Sequence, residues 1–200
     1  MTKRFALLAL AFLSSPALAQ QAEPVPPAPA VAENLVPVAL ETPLGRIVIA
    51  LDRGRAPLTT ANFLAYVDAK KLDGESFYRA MPYGEGGLIQ GGITSDARKL
   101  AKPVAFESTA KTGLSNKAGT IAMAALAPGQ AQADFFIMTT DIPAFDGDNG
   151  FAAFGHVTEG MDVVKKILAA PVDPNKGEGS MKGQMLEPRI TITKAARLKP

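Results

Sequence analysis

Two hundred residues, 47% of them hydrophobic and 20% charged, suffice for one domain with a sizeable core and are too few for two. The chain has no cysteine and one histidine, His156, which excludes disulfides, thiolate metal sites, a cysteine nucleophile and any site built on paired histidines. Lysine and arginine number 21 against 19 acidic residues, a balance that gives no basis for capturing nucleic acid.

Residues 1–19 are expected to be an export signal. Lys3 and Arg4 form a positive start, Phe5 to Leu13 (FALLALAFL) an apolar run too short to span a bilayer, and Ala17-Leu18-Ala19 a small-x-small cleavage pattern. Cleavage there begins the mature chain at Gln20 and sends it to the periplasm, with no membrane insertion expected. It also removes two of the 21 basic residues and none of the 19 acidic ones, so the mature chain carries 19 of each and is formally neutral. Residues 20–34 crowd Pro24, Pro26, Pro27 and Pro29 among alanines, and read as a disordered spacer with little to bury. The folded domain is expected over residues 35–200.

That domain opens on alternating apolar residues. Val36, Val38 and Leu40 precede a Pro43-Leu44-Gly45 turn, and Ile47, Ile49 and Leu51 follow it, a hairpin signature. Pro57 suits a helix first turn, and Leu58 to Lys70 runs on without glycine or further proline, placing Phe63, Tyr66 and Val67 on one face. From Glu75 to Gly155 come short apolar runs between glycines, at residues 76–81, 87–90, 120–125, 135–139 and 151–157. Their spacing predicts a mainly β core of barrel type. A second helix is predicted over Met161 to Ala169, ended by Pro171, then a loop over 172–186 and a closing strand from Arg189 to Lys194.

Five blocks are more specific. FYRAMPYGEGGLIQGG (77–92), GTIAMA (119–124), DFFIMT (134–139) and FAAFGHVTEGMDVVKKI (151–167) follow ETPLGRIVIALDRGRAPLTTANFLAYV (41–67). In this order they resemble the cyclophilin-type peptidyl-prolyl cis-trans isomerases of the bacterial exported branch, over roughly residues 36–197. The resemblance implies an eight-stranded antiparallel barrel capped by two α-helices, acting on X–Pro bonds of exported proteins to assist their folding.

Such a reaction makes and breaks no bond. Amide resonance sets a barrier of ~18–20 kcal/mol, and a fixed donor aimed at the proline nitrogen helps only when that nitrogen pyramidalises in the twisted transition state. Neither metal nor cofactor is expected. By its place in the family pattern Arg79 matches the catalytic arginine, and Gln90 the glutamine that holds the substrate backbone and orients the arginine. Phe136 matches the floor of the proline pocket and Leu88 an apolar neighbour. Ala124 and Ala125 match the edge along which substrate backbone lies, and Phe145 and Phe151 border the pocket. Proline-containing polypeptides are the implied partners, and the chain is expected to be a monomer. His156 reads as a structural strand residue outside the site.

Departures from the family pattern are also visible. Gly87 stands where an aromatic wall is common, Asp134 where glutamine is common, and Phe151 where histidine is usual; tryptophan is absent. The Asp134 carboxylate is placed to pair with Arg79, and the missing tryptophan predicts weak binding of the cyclic peptide drug that recognises tryptophan-containing members. An open Gly87 wall and a restrained Arg79 support an alternative: a weakly catalytic peptide-binding module or holdase. A barrel that carries a small apolar ligand is a third reading.

Overall fold

The computed structural model describes residues 34–199; the expected export signal and all but the last residue of the expected spacer lie outside them. Ten strand segments and three helices follow in order. They are β1 (Leu35–Thr42), β2 (Gly45–Asp52), α1 (Pro57–Asp68), β3 (Ser76–Tyr83), β4 (Gly86–Gly92), the single turn α2 (Thr109–Thr112), β5 (Thr120–Met123), β6 (Phe135–Met138), β7 (Ala153–Glu159), α3 (Met161–Leu168), β8 (Val172–Asp173), β9 (Met185–Thr191) and β10 (Lys194–Arg197). The ten strands all belong to one antiparallel sheet of order β10-β1-β2-β7-β5-β6-β4-β3-β9-β8.

The mainly β reading holds, but the strand count and closure differ from expectation. There are ten segments rather than eight, and the backbone ladder stays open between β10 and β8. The predicted closing strand over 189–194 is in fact two. At Ile192 the chain leaves β3, where Ile192 N–H donates to the Glu75 carbonyl at 2.7 Å; at Thr193 it reaches β1, donating to the Glu41 carbonyl at 2.8 Å. Two residues thus hop between distant parts of the strand order, which requires the sheet to curl round on itself. The loop predicted over 172–186 contains β8 and the start of β9, too short and polar to show alternation.

Inside the curl, Phe63 of α1 meets Phe135 edge-on with ring centres 5.3 Å apart, and Phe135 meets Phe77 at 5.8 Å. These rings are fully buried with Leu40, Ile47, Ile49 and Phe154. A buried aliphatic or phenylalanine side chain stabilises by ~1.5–3 kcal/mol, so this layer carries most of the fold. It also fills the interior with the chain's own side chains, which leaves the carrier reading without support. Helix α1 starts at Pro57 with no cap from Ala56, and the Glu107 carboxylate supplies one by accepting from Leu58 and Thr59 N–H at 3.1 and 2.7 Å. It ends two residues before the predicted Lys70, which turns into the left-handed region at φ 54°. Helix α3 covers the sheet with Val163, Val164 and Ile167.

A second, thinner apolar cluster lies on the other side of the sheet. Leu88, Ala122, Phe136, Met138 and Ile142 are buried there, with Met81, Ala124, Phe145 and Phe151 packed against them.

Candidate active site

Strand alternation decides which side chains reach that second cluster. On β4, Leu88 and Gln90 face it while Ile89 enters the main core; on β6, Phe136 and Met138 face it while Phe135 and Ile137 enter the core. On β3 strict alternation would put Arg79 on the side of Phe77, in the core. It does not, because the register slips between them: Phe77 pairs with Gly91, yet Arg79 pairs with Gln90. This bulge at Tyr78 turns Tyr78 and Arg79 out to the same face. Arg79, Gln90, Phe136 and Ala122 then stand in one row across β3, β4, β6 and β5.

Arg79 lies half-buried in this row. Its Nη1 donates to Gln90 Oε1 at 2.9 Å and its Nε to Gln184 Oε1 at 2.9 Å, so the guanidinium plane is held at two points while Nη2 makes no hydrogen bond among the described residues. Burial draws its pKa below the ordinary arginine value, but the group stays protonated at any working pH. Gln90 Nε2 donates to the Tyr78 hydroxyl at 2.6 Å, and that hydroxyl donates to Asp134 Oδ2 at 3.0 Å. Burial, with the negative charge of Asp134 beside it, pushes the Tyr78 phenol well above its ordinary range.

Three rings form an apolar floor and wall. Phe136 lies 5.0 Å from Phe151 and 5.5 Å from Phe145, and the last two are 4.7 Å apart. Asn116, buried behind them, fixes the loop that carries Phe145 and Phe151. Its Nδ2 donates to the carbonyl oxygens of Phe145 (2.9 Å) and Phe151 (3.3 Å) and to Asp146 Oδ1 (2.8 Å). Gly150 completes the turn: any Cβ there would strike the Phe145 carbonyl.

The result is an open groove of about 430 Å³ with polar atoms on the Arg79 side and rings on the other. All nine sequence-derived positions line it: Arg79, Gln90, Leu88, Ala124, Ala125, Asp134, Phe136, Phe145 and Phe151. The groove can hold a small apolar ring against Phe136 while a charged, rigidly aimed donor faces it.

Two expectations need correction. Asp134 does not pair with Arg79, because its carboxylate is taken by the Tyr78 hydroxyl and Arg79 is held by two glutamines. Gly87 is not an open wall either. It sits at φ 154°, a Cβ there would strike the Met81 carbonyl oxygen and cannot fit, and it is not among the residues lining the groove. His156 is exposed on β7 opposite Ala50 and Thr120, outside the groove lining.

Sequence reasoning missed Tyr78, Met81, Leu126, Met181 and Met185, which also line the groove, and Gln184 and Asn116, which brace it. Tyr78 was hidden by the bulge, and Gln184 lies in a stretch that reads as loop.

With this geometry in view, residues 37–196 match the family model described as cyclophilin type peptidyl-prolyl cis-trans isomerase/CLD. The chain is 37% identical over 139 residues to a peptidyl-prolyl cis-trans isomerase of Acinetobacter baylyi, covering 67% of this chain and 72% of that protein. It is 37% identical over 148 residues to the isomerase cyp18 of Streptomyces antibioticus, covering 70% of this chain and 87% of that one. A crystal structure of a Cryptosporidium parvum cyclophilin type isomerase superposes with a TM-score of 0.69 at 20% identity, over 84% of this chain and 99% of that one. At that identity the superposition speaks for the fold alone. A second structure of the same parasite protein, obtained in the presence of the dipeptide Ala-Pro, gives 0.67 at 21% identity, over 82% and 99%.

Proposed function

Because the chain belongs to the cyclophilin-type peptidyl-prolyl cis-trans isomerases, we propose that the groove beside Arg79 is where it turns the X–Pro bond. The observation that carries this is the two-point clamp on Arg79 opposite an aromatic floor. The proline ring rests on Phe136 with Leu88, Phe145 and Phe151 around it, and the substrate backbone runs past Ala124 and Ala125. Arg79 donates to the proline nitrogen as it pyramidalises, an interaction absent from either planar ground state and therefore one that lowers the barrier. Gln90 and Gln184 remove the reorientation that a free arginine would need. The binding-module alternative rested on an open Gly87 wall and an Asp134-restrained Arg79, and neither arrangement is present.

The test is cis–trans exchange of a short Ala-Pro peptide followed by NMR. Arg79→Ala is expected to slow catalysed exchange on the order of a hundredfold, the usual loss for one preorganised donor. Exchange in the variant at the wild-type rate would remove Arg79 from the mechanism.

We further propose that the substrates are exported proteins and that the chain works as a monomer in the periplasm. Lys3, Arg4, the FALLALAFL run and the Ala17-Leu18-Ala19 pattern support the export, a formally neutral mature chain without an evident coiled coil supports the monomer, and no helix among the described residues is long and apolar enough to cross a membrane. Native mass spectrometry of the periplasmic fraction checks both parts. A single-chain species beginning at Gln20 is expected; recovery of the chain from the cytoplasmic fraction alone refutes the export, and a double mass refutes the monomer.

A further inference from the structure

Arginine donates and cannot accept. Arg79 Nη1 therefore obliges Gln90 to turn the oxygen of its amide toward it, which sends the NH₂ half the other way, onto the Tyr78 oxygen. A hydroxyl that accepts there must place its own hydrogen elsewhere, and it goes to Asp134 Oδ2. An ionised carboxylate accepts and cannot donate. The chain of bonds Arg79–Gln90–Tyr78–Asp134 thus has a fixed polarity, set at one end by a pure donor and at the other by a pure acceptor.

We propose that Asp134 and Tyr78 are positioning residues of the isomerase: the Asp134 carboxylate, through the Tyr78 hydroxyl, locks the Gln90 amide in the one orientation that aims Arg79. This rests on Arg79 being the donor to substrate, as proposed above. The site's position favours such a role over a purely structural one. Both residues line the groove, and burial pushes the Asp134 pKa above the ordinary aspartate value of ~3.9, with Glu75's negative charge adding to the rise and Tyr78's bond opposing it. A raised carboxylate pKa means that the ionised form costs the fold stability as pH rises past the ordinary value. The fold keeps a charge there that does not pay in stability.

The charged and titratable groups around the relay come from three sources. Glu75, just before β3, is itself held by Lys99 at 2.6 Å; Arg79 is at the far end; and the Arg189 guanidinium of β9 lies 5.9 Å from the Tyr78 ring centre. None replaces Asp134 as the acceptor for the Tyr78 hydroxyl. When Asp134 takes up a proton, the Tyr78 hydroxyl loses its anionic acceptor, and the Gln90 amide, held by its oxygen at Arg79, is no longer braced from the Tyr78 side.

The sign of the pH effect follows. The relay is intact above the raised Asp134 pKa and fails as pH falls through it. Catalysed exchange of the Ala-Pro peptide should therefore decline on acidification with a midpoint above ~3.9, and the Gln90 side-chain NH₂ resonances should shift with the same midpoint. Tyr78→Phe should lower kcat by roughly tenfold to a hundredfold with KM little changed, since misaiming one group costs turnover and leaves the aromatic pocket intact. Asp134→Asn should abolish the acid limb in both rate and Gln90 resonance. Wild-type kcat in Tyr78→Phe, or an acid limb unchanged in Asp134→Asn, overturns the proposal. The Gln90 titration in the wild-type protein decides it even if Tyr78→Phe fails to fold. Arg79→Ala separates the two readings: if that variant keeps full activity the donor assignment fails, whereas its collapse beside an unaffected Tyr78→Phe sinks the relay alone.

Discussion

Asn116 shows how much a single buried amide can arrange. Its Nδ2 reaches the carbonyl oxygens of Phe145 and Phe151, its backbone N–H donates to Asp146 at 2.8 Å, and its carbonyl accepts from Ile142. Replacing it with alanine leaves the Phe145 carbonyl with the Phe151 N–H at 2.9 Å but takes the side-chain donor from the Phe151 carbonyl and from Asp146, a cost of about 1–3 kcal/mol. The Arg79 clamp sits on other strands and is untouched. Asn116→Ala is therefore expected to lower the urea midpoint and to raise KM for proline peptides several-fold, with a much smaller change in kcat. Steady-state kinetics check this, and an equal fall in kcat would tie Asn116 to the Arg79 side of the groove instead. Nothing in the local sequence LSNKAG marks this asparagine, because the partners of its side chain lie 29, 30 and 35 residues away along the chain.

At the scale of elements, legibility followed periodicity. The first hairpin and both longer helices were readable within about two residues, since Ile47, Ile49 and Leu51 alternate and Phe63, Tyr66 and Val67 recur at helical spacing. The residues of the candidate site were readable for a different reason: Arg79, Gln90 and Phe136, which line one groove, sit in contiguous motifs whose order resembles a family. What the sequence did not disclose is how β3 delivers them. Phe77 and Arg79 share a parity, and only the extra residue at Tyr78 separates core from groove. A bulge leaves no periodic signal, and a relay through Tyr78 and Asp134 requires knowing it. Gln184 was invisible likewise, lying 105 residues from Arg79 in a stretch with no alternation. The misjudged Gly87 has the same origin: its φ and its contact with Met81 belong to the hairpin's geometry.

At the scale of the folded domain, the two-residue passage from β9 to β10 ties β3 to β1, and Arg197 of β10 pairs with Asp68 at the end of α1. Ala195 is buried in the main core and its N–H donates to Asp73. The C-terminal residues thus hold the curl of the sheet together. A reading that ends the last strand at Lys194 misses this, because short strands such as β10 have too few residues to display a pattern.

The row of Arg79, Gln90, Phe136 and Ala122 has one more consequence. Each residue is lent by a different strand, and the brace from Gln184 arrives from a fifth part of the chain. No contiguous stretch of sequence contains the machinery, and freeing any one strand scatters it. Turnover is then a gauge of cooperativity: in a urea titration, catalytic rate and far-ultraviolet circular dichroism should collapse at one shared midpoint. A rate lost at lower urea than the dichroism would instead identify the groove as a separately melting unit.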